Sequence, residues 1–268
     1  MPKNSSMGRG MKVVFAVAAR QEAGEPGATV ADVAADLGRD RSQVSRGLKV
    51  ADQEGFLIRG ERRAYALHWG LYADAQAITE QRLRTDGLTA LEGLVAATNE
   101  GCFLGVLQGD STVTIGERVP AASRMIGSWI GRPYPAYCSD AGQALLWDAS
   151  EQEVRTVFAN TEFVRHGPNT PASVDDFIGR LEQARSRGYS VVDEEAEPGL
   201  FSIAVPVRDF RGEVVAALQV VGPKTRLAGR RTECAAAAVE WGRWLEAALR
   251  GESNNNEADQ PVTENTGS

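Results

Sequence analysis

Thr29-Val-Ala-Asp-Val-Ala-Ala-Asp-Leu-Gly-Arg-Asp-Arg-Ser-Gln-Val-Ser-Arg-Gly-Leu-Lys49 contains two helix starts and one tight stop within a single short run. Thr29 followed by Asp32 has capping-box spacing: the hydroxyl accepts from the third backbone N–H inside the helix, and the carboxylate reaches back. Gly38 ends that helix after Leu37, because the left-handed residue that closes a helix is easiest for glycine. A second helix then extends to about Glu54, with Val44, Leu48 and Ala51 spaced to face inward and Gly55 closing it. On the N-terminal side, Met11, Val14, Phe15 and Ala18 have helical spacing and are separated from Thr29 by the breaker Gly24–Gly27. On the C-terminal side, Phe56 to Leu67 reads as strand, polar turn at Gly60–Arg63, and strand, with Tyr65 and Leu67 turned inward. Helix, helix, turn, helix, hairpin is the order of a winged helix-turn-helix.

The second of those helices has an outward face rich in hydrogen-bonding groups. Arg41, Ser42, Gln43, Ser45, Arg46 and Lys49 project from it, with Arg39 just before its start. In a helix-turn-helix this element enters the major groove, where Arg pairs with guanine, Gln with adenine, and Ser with base or phosphate. Arg62 and Arg63 at the hairpin tip would reach phosphates or the minor groove. A solvated surface helix has a similar composition, and winged helices also bind proteins, so a sensing or interaction module without specific DNA binding stays open. Charge distribution favours the DNA reading. Residues 1–70 carry 11 Lys and Arg against 8 Asp and Glu, a net of +3, while the whole chain is at −7. Phosphate contacts need only local positive charge.

Trp69 to about Arg84 reads as a polar connector helix. Beyond it the pattern becomes mixed. Strands are expected at Cys102–Leu107, Val113–Val119, Tyr189–Val192, Phe201–Val207 and Val214–Val221. Helices are expected at Leu88–Asn99, Ser139–Trp147, Val154–Ala159, Ser173–Arg187 and Arg230–Leu249. The Asp209–Gly212 turn joins the last two strands as an antiparallel hairpin. The expected organisation is a winged helix-turn-helix at 1–68, a linker helix at 69–87, an α+β domain at 88–250 and a disordered tail at 251–268.

At 268 residues, with 43% hydrophobic and 24% charged residues, the composition is that of a globular protein. No run reaches the roughly 18 apolar residues that span a bilayer, and the short apolar run Val13–Ala19 lacks a cleavage pattern, so a cytoplasmic protein with no membrane partner is expected. Cys102, Cys138 and Cys234 lack metal spacing, and only His68 and His166 could assist them, so no metal site and no cofactor are expected. Cys138, next to Ser139 at an expected helix start, is the one candidate nucleophile for an enzyme, with His166 as its base. No phosphate loop, nucleophile elbow or dinucleotide fingerprint accompanies it.

Three blocks carry a family resemblance. Gly131-Arg-Pro-Tyr-Pro-Ala-Tyr-Cys-Ser-Asp-Ala-Gly-Gln-Ala-Leu-Leu146, Gly188-Tyr-Ser-Val-Val-Asp-Glu-Glu-Ala-Glu-Pro-Gly-Leu-Phe-Ser-Ile-Ala-Val-Pro-Val207 and Gly212-Glu-Val-Val-Ala-Ala-Leu-Gln-Val-Val-Gly-Pro223 occur in order. Together they resemble the effector domain of IclR-family regulators, and the resemblance spans residues 10–250. It implies a DNA-reading winged helix, a linker helix used in dimerisation, and a GAF-like effector domain with an antiparallel sheet. The expected partners are double-stranded operator DNA, a small organic effector, and further copies of the chain in a homodimer or a dimer of dimers. The family pocket maps onto Tyr134, Ser139, Asp140, Ala141, Val192, Ser202, Gln219 and Val221, with Asp193 beside Val192. Members that bind small carboxylates have an acid, a Cys and two Ser at the last four mapped positions. Val192 and Val221 here suit a ligand with an apolar or aromatic body. The family's Gly-Lys pair is Gly142-Gln143, a change expected at the surface.

Overall fold

The computed structural model describes residues 5–60, 63–121 and 128–252. The chain forms two compact units, Met1–Ile78 and Thr79–Ser268. The expected tail 251–268 and the wing residue Arg62 fall largely or wholly outside the described residues.

The first unit contains α1 (Ser6–Glu22), α2 (Val30–Leu37), α3 (Arg41–Gln53) and a hairpin of β1 (Leu57–Arg59) and β2 (Tyr65–Leu67). Its boundaries follow from the local chemistry read above. The Thr29 N–H donates to Asp32 Oδ2 at 2.8 Å and the Asp32 N–H donates to Thr29 Oγ1 at 3.3 Å, closing the capping box. Gly38 adopts φ 59 and stops α2. Asp40 caps α3, its carboxylate accepting from the Ser42 N–H at 2.8 Å. Val33, Val44, Leu48, Leu57 and Tyr65 close the core against α1. The face that α1 buries is Val13, Val14, Ala16 and Val17. Met11 and Phe15 share helical spacing with Val14 yet stay exposed, because the Val13–Val17 stripe is the one turned toward α3. Ala28 and Tyr65 exchange backbone hydrogen bonds at 2.8 Å, stitching the loop before α2 onto the hairpin.

In the chain, α4 (Trp69–Thr98) follows as a single 30-residue helix. The connector and the helix expected at Leu88–Asn99 are thus one element. Gly87 and Gly93 within it are places of close packing. A Cβ at Gly87 would stand 2.7 Å from Leu104 Cδ2, and one at Gly93 would stand 1.9 Å from Trp241 Cζ2.

The second unit is built on one six-stranded antiparallel sheet in the order β5-β4-β3-β8-β7-β6. The strands are β3 (Gly101–Gln108), β4 (Ser111–Arg118), β5 (Pro133–Pro135), β6 (Ser190–Asp193), β7 (Leu200–Arg208) and β8 (Val214–Pro223). Leu91 and Leu94 of α4 pack with Trp241 and Leu245 of α9 (Arg231–Leu249) against Leu104, Ile203 and Leu218. The opposite face carries α5 (Gly142–Leu145), α6 (Glu151–Val157) and α7 (Val174–Arg187). A short α8 (Lys224–Leu227), not anticipated from sequence, links β8 to α9. The helix expected over Ser139–Trp147 shrinks to Gly142–Leu145. Its expected first turn is spent on a bend in which the Ser139 N–H donates to the Pro135 carbonyl and Ser139 Oγ accepts from the Gly142 N–H.

Candidate functional site

In the first unit, α3 presents the surface that its sequence implies. Arg41, Ser42, Gln43, Ser45, Arg46 and Lys49 are exposed and Arg39 is half-buried, while Val44, Leu48 and Ala51 anchor the helix. Arg39, Arg41, Arg46, Lys49 and Arg63 form no ion pair with another described residue. Arg20 of α1, by contrast, is tied to Asp36 at 2.6 Å and Glu25 at 2.8 Å. No α3 cation is paired with a described carboxylate, although Arg46 donates to the Ser42 carbonyl at 3.4 Å and helps hold the Asp40 carboxyl down, and Gln43 and Ser45 stand between these cations. At the wing, Arg63 is exposed and held at φ 60. Arg59 lies over the Tyr65 ring, 5.7 Å from its centroid. A feature that sequence reasoning missed is a groove between α1 and α3, bordered by Met7, Met11, Gln43, Arg46, Val50 and Phe56.

The second unit contains a cavity of about 660 Å3, within the range of small-molecule sites. Strand register creates its floor. Val192 pairs with Ser202, and Ser202 with Val221. Ala204 pairs with Gln219, which pairs with Phe103. Directly opposed residues in antiparallel strands point to the same face, so Val192, Ser202, Val221, Gln219 and Phe103 all lie away from the α4–α9 side. Gly105 makes room for the amide: a Cβ there would come within 2.8 Å of Gln219 Nε2.

Of the residues mapped from sequence, Tyr134, Ser139, Asp140, Gln219 and Val221 line the cavity. Ala141, Val192 and Ser202 are buried and do not line it. Asp193 is turned to the side, its carboxylate 2.8 Å from Lys224 Nζ. Sequence reasoning missed Phe103, Thr112, Trp129, Arg132 and the segment Ala196–Leu200, which complete the walls. Only the strand residues among these had a readable signal, the alternation of β3 and β4. Arg132 lies 5.7 Å from the Trp129 ring centroid. Gln143 is buried at 2% exposure, so the expectation of a surface change there is corrected: the amide sits inside α5 packing.

The segment after β6 forms one wall and is held from several sides. The Tyr134 hydroxyl donates to the Ala196 carbonyl at 2.9 Å, and Thr170 Oγ1 donates to the Glu195 carbonyl at 2.7 Å. Arg180 Nη1 pairs with Glu195 Oε1 at 2.9 Å. Burial pushes the Glu195 carboxyl up to about 7, although Arg180 pulls it down. Burial likewise pushes Asp140 up to about 6, with the Ser202 hydroxyl opposing and Glu197 adding to the rise. Tyr134 is pushed up to about 12, mainly by burial.

Among the described residues no hydrogen bond joins Cys138 to His166. Cys138 is buried, its thiol facing the Pro135 carbonyl at 3.7 Å, and burial pushes it up to about 12. A thiol held neutral is a poor nucleophile. The His166 ring stacks near Tyr134 at 5.5 Å and Tyr137 at 6.2 Å between centroids.

Comparison with known proteins places this architecture. The family described as bacterial transcriptional regulator IclR C-terminal matches residues 75–245. The HTH-type transcriptional regulator KdgR of Escherichia coli K12 is 31% identical over 195 residues, covering 72% of this chain and 74% of that protein. The HTH-type transcriptional repressor AllR of Salmonella paratyphi A is 28% identical over 204 residues, covering 74% of each. A crystal structure of an IclR homolog from Microbacterium hydrocarbonoxydans complexed with 4-hydroxybenzoate superposes with a TM-score of 0.58 at 22% identity, covering 92% of this chain and 100% of that one. Among the described residues, no helix is long and apolar enough to cross a membrane.

Proposed function

The chain belongs to the IclR family of bacterial transcriptional regulators, and on that premise we propose how it reads DNA and what gates it. The DNA reader is α3. Its exposed Arg41, Gln43, Ser45 and Arg46 meet base edges, while Arg39, Ser42 and Lys49 hold phosphates, with Arg63 and Arg62 of the wing alongside. The observation that carries this reading is the absence of ion pairs between the α3 cations and other described residues, against the paired Arg20 nearby. Charges that are not neutralised within the protein are free to displace counterions from DNA.

The gate is the cavity of the second unit. Its walls of Phe103, Trp129, Tyr134 and Val221 suit a small organic effector with an aromatic or apolar body. The 4-hydroxybenzoate held by the Microbacterium relative is a molecule of that type. The domain plan is a winged helix at 1–68, a linker at 69–87 and an effector domain at 88–250. The working unit is a cytoplasmic homodimer or dimer of dimers. Supporting self-association, Met7, Met11 and Phe15 lie four residues apart on α1 and are exposed, as are Trp69 and Ile78 of α4. Two copies would present two α3 helices to half-sites about one DNA turn apart. No step of this function needs catalysis, and the buried Cys138 is a packing residue.

Selection of the full-length protein against a pool of random duplexes, at 150 mM salt with competitor DNA, tests the reading. A two-fold symmetric consensus should emerge. Retention of duplexes with no enriched sequence would contradict specific operator binding.

A further inference from the structure

The floor of the cavity holds polar atoms that the protein leaves without partners. Asp140 Oδ1 and Ser202 Oγ are both shut off from solvent, and neither makes a hydrogen bond of normal geometry. Ser202 is fully buried at 0% exposure, and Asp140 lines the cavity. Pairing of Ser202 with Val221, itself a lining residue, places that hydroxyl in the sheet row directly beneath the ligand space. The Ser202 hydroxyl faces Asp140 closely enough to pull its carboxyl down, yet short of a hydrogen bond of normal geometry, and buried polar atoms left so incompletely matched are unfavourable and rare in native interiors.

The groups around Asp140 decide what kind of partner fits. From the segment after β6 come Glu197, which raises the Asp140 carboxyl, and Glu195, whose own carboxyl Asp140 helps to raise. From β5 and the bend after it come Tyr134 and Cys138, whose donors are already committed to the Ala196 and Pro135 carbonyls. From β7 comes Ser202. No cation is among them, since Arg180 is taken by Glu195 and Asp176. Among the described residues, the lining cations are Arg226 and Arg132. Arg226 is bound through two nitrogens to the buried Glu100, at 2.7 and 2.6 Å, whereas Arg132 is exposed and pairs with no described acid. The cavity is therefore negative and acceptor-rich at its floor and positive at Arg132.

We propose that the inner end of the effector is a hydrogen-bond donor, a hydroxyl or a protonated amine on an apolar body, seated on Asp140 above Ser202, with any acidic group turned outward toward Arg132. This deepens the reading of the cavity as the effector site and rests on it. It reverses the arrangement in which a carboxylate is held at the floor. Because Asp140 is pushed up to about 6, it is ionised at pH 7.5 and mostly protonated at pH 5. A cationic donor loses its attraction over that interval.

The test uses three probes that share one ring and differ in the head group: benzyl alcohol, benzylamine and benzoate. Their dissociation constants for the full-length protein are measured by ligand-observed NMR at pH 7.5 and pH 5.0. At pH 7.5 the amine and the alcohol should bind about tenfold or more tightly than benzoate, the scale of one charge-assisted hydrogen bond. At pH 5.0 the amine should lose most of that margin. Asp140→Asn, which puts an amide where the carboxylate stood, should collapse the preference at pH 7.5. Ser202→Ala should weaken both donors several-fold and leave benzoate unchanged. Benzoate binding as tightly as the donors to the unsubstituted protein overturns the proposal, whatever the variants do, and leaves the effector reading intact. Failure of all three probes to bind at 10-mM-scale concentrations (about a hundredfold above a good fragment) overturns the effector reading together with the proposal.

Discussion

Replacing Gly93 by alanine sets two opposing effects against each other in one buried helix. In the interior of α4, Gly→Ala gains about 1 kcal/mol from helix propensity. The new Cβ would stand 1.9 Å from Trp241 Cζ2, 2.2 Å from Cη2 and 2.4 Å from Cε2. Those atoms belong to a rigid ring that is 3% exposed and packed edge-on against Trp244 at 5.6 Å. The indole cannot swing aside as the end of a flexible chain would, so either α4 or α9 must shift. Overpacking of this kind costs about 1–3 kcal/mol and at times more. With contact this close the cost lies at or above the upper end, leaving a net loss of about 2 kcal/mol. For a unit of this size that lowers Tm by roughly 4–8 °C. Gly179 of α7 is the matched control, since a Cβ there meets nothing within 4 Å. Gly179→Ala should therefore raise Tm by about 2–4 °C. Gly87→Ala should fall between them, because the obstacle is the mobile end of Leu104. Differential scanning calorimetry of the three variants reads the series directly. A rise in Tm for Gly93→Ala, or one sign shared by Gly93 and Gly179, would refute the packing argument.

Asp40→Ala removes the cap of α3 and should cost about 1 kcal/mol, seen as faster amide exchange in the first turn of that helix. Raised carboxyl pKa values at Asp140 and Glu195 mean that the folded state holds protons the unfolded chain has released. The stabilisation they bring is complete below about pH 4 and is lost as pH rises through 6 to 7, by on the order of 3 kcal/mol for each group. Tm of the second unit should accordingly fall from pH 5 to pH 8, and less so in Asp140→Asn; a flat or rising profile would contradict the assignment. All three thiols are buried and pushed up, so native protein at pH 7.5 should resist alkylation that the denatured chain accepts, as mass spectrometry would show.

What could be read from sequence follows the range of the interactions involved. The limits of α2 and α3 depend on Thr29, Asp32, Gly38 and Asp40, each acting within a few residues of itself, and they emerge where local chemistry puts them. The family resemblance pointed to Gln219, Val221, Ser202 and Val192, and the strand register does put these four on one face. It could not say which of them ligand space reaches. That depends on Tyr134 and on the Ala196–Leu200 segment closing over the sheet, which are contacts between distant parts of the chain. Trp129 and Arg132 sit in a connection with no periodicity, so their arrival at the cavity had no local sign. Gly87 and Gly93 carried no such sign either: only Leu104 and Trp241 reveal them as packing positions. The buried position of Gln143 is a further case, since a polar residue after glycine reads as surface until α5 is seen packed inside.

If the exposed face of α3 reads sequence, Arg46 is the side chain whose loss shows it most plainly. Fluorescence anisotropy should compare unsubstituted protein and Arg46→Ala on a selected duplex and on a scrambled one, across a salt series. Arg46→Ala should lose about 1–3 kcal/mol on the selected duplex alone, roughly 5- to 150-fold in Kd, with Tm unchanged. An equal loss on both duplexes would make Arg46 a phosphate contact, and no loss on either would contradict the assignment of α3 as the reading helix.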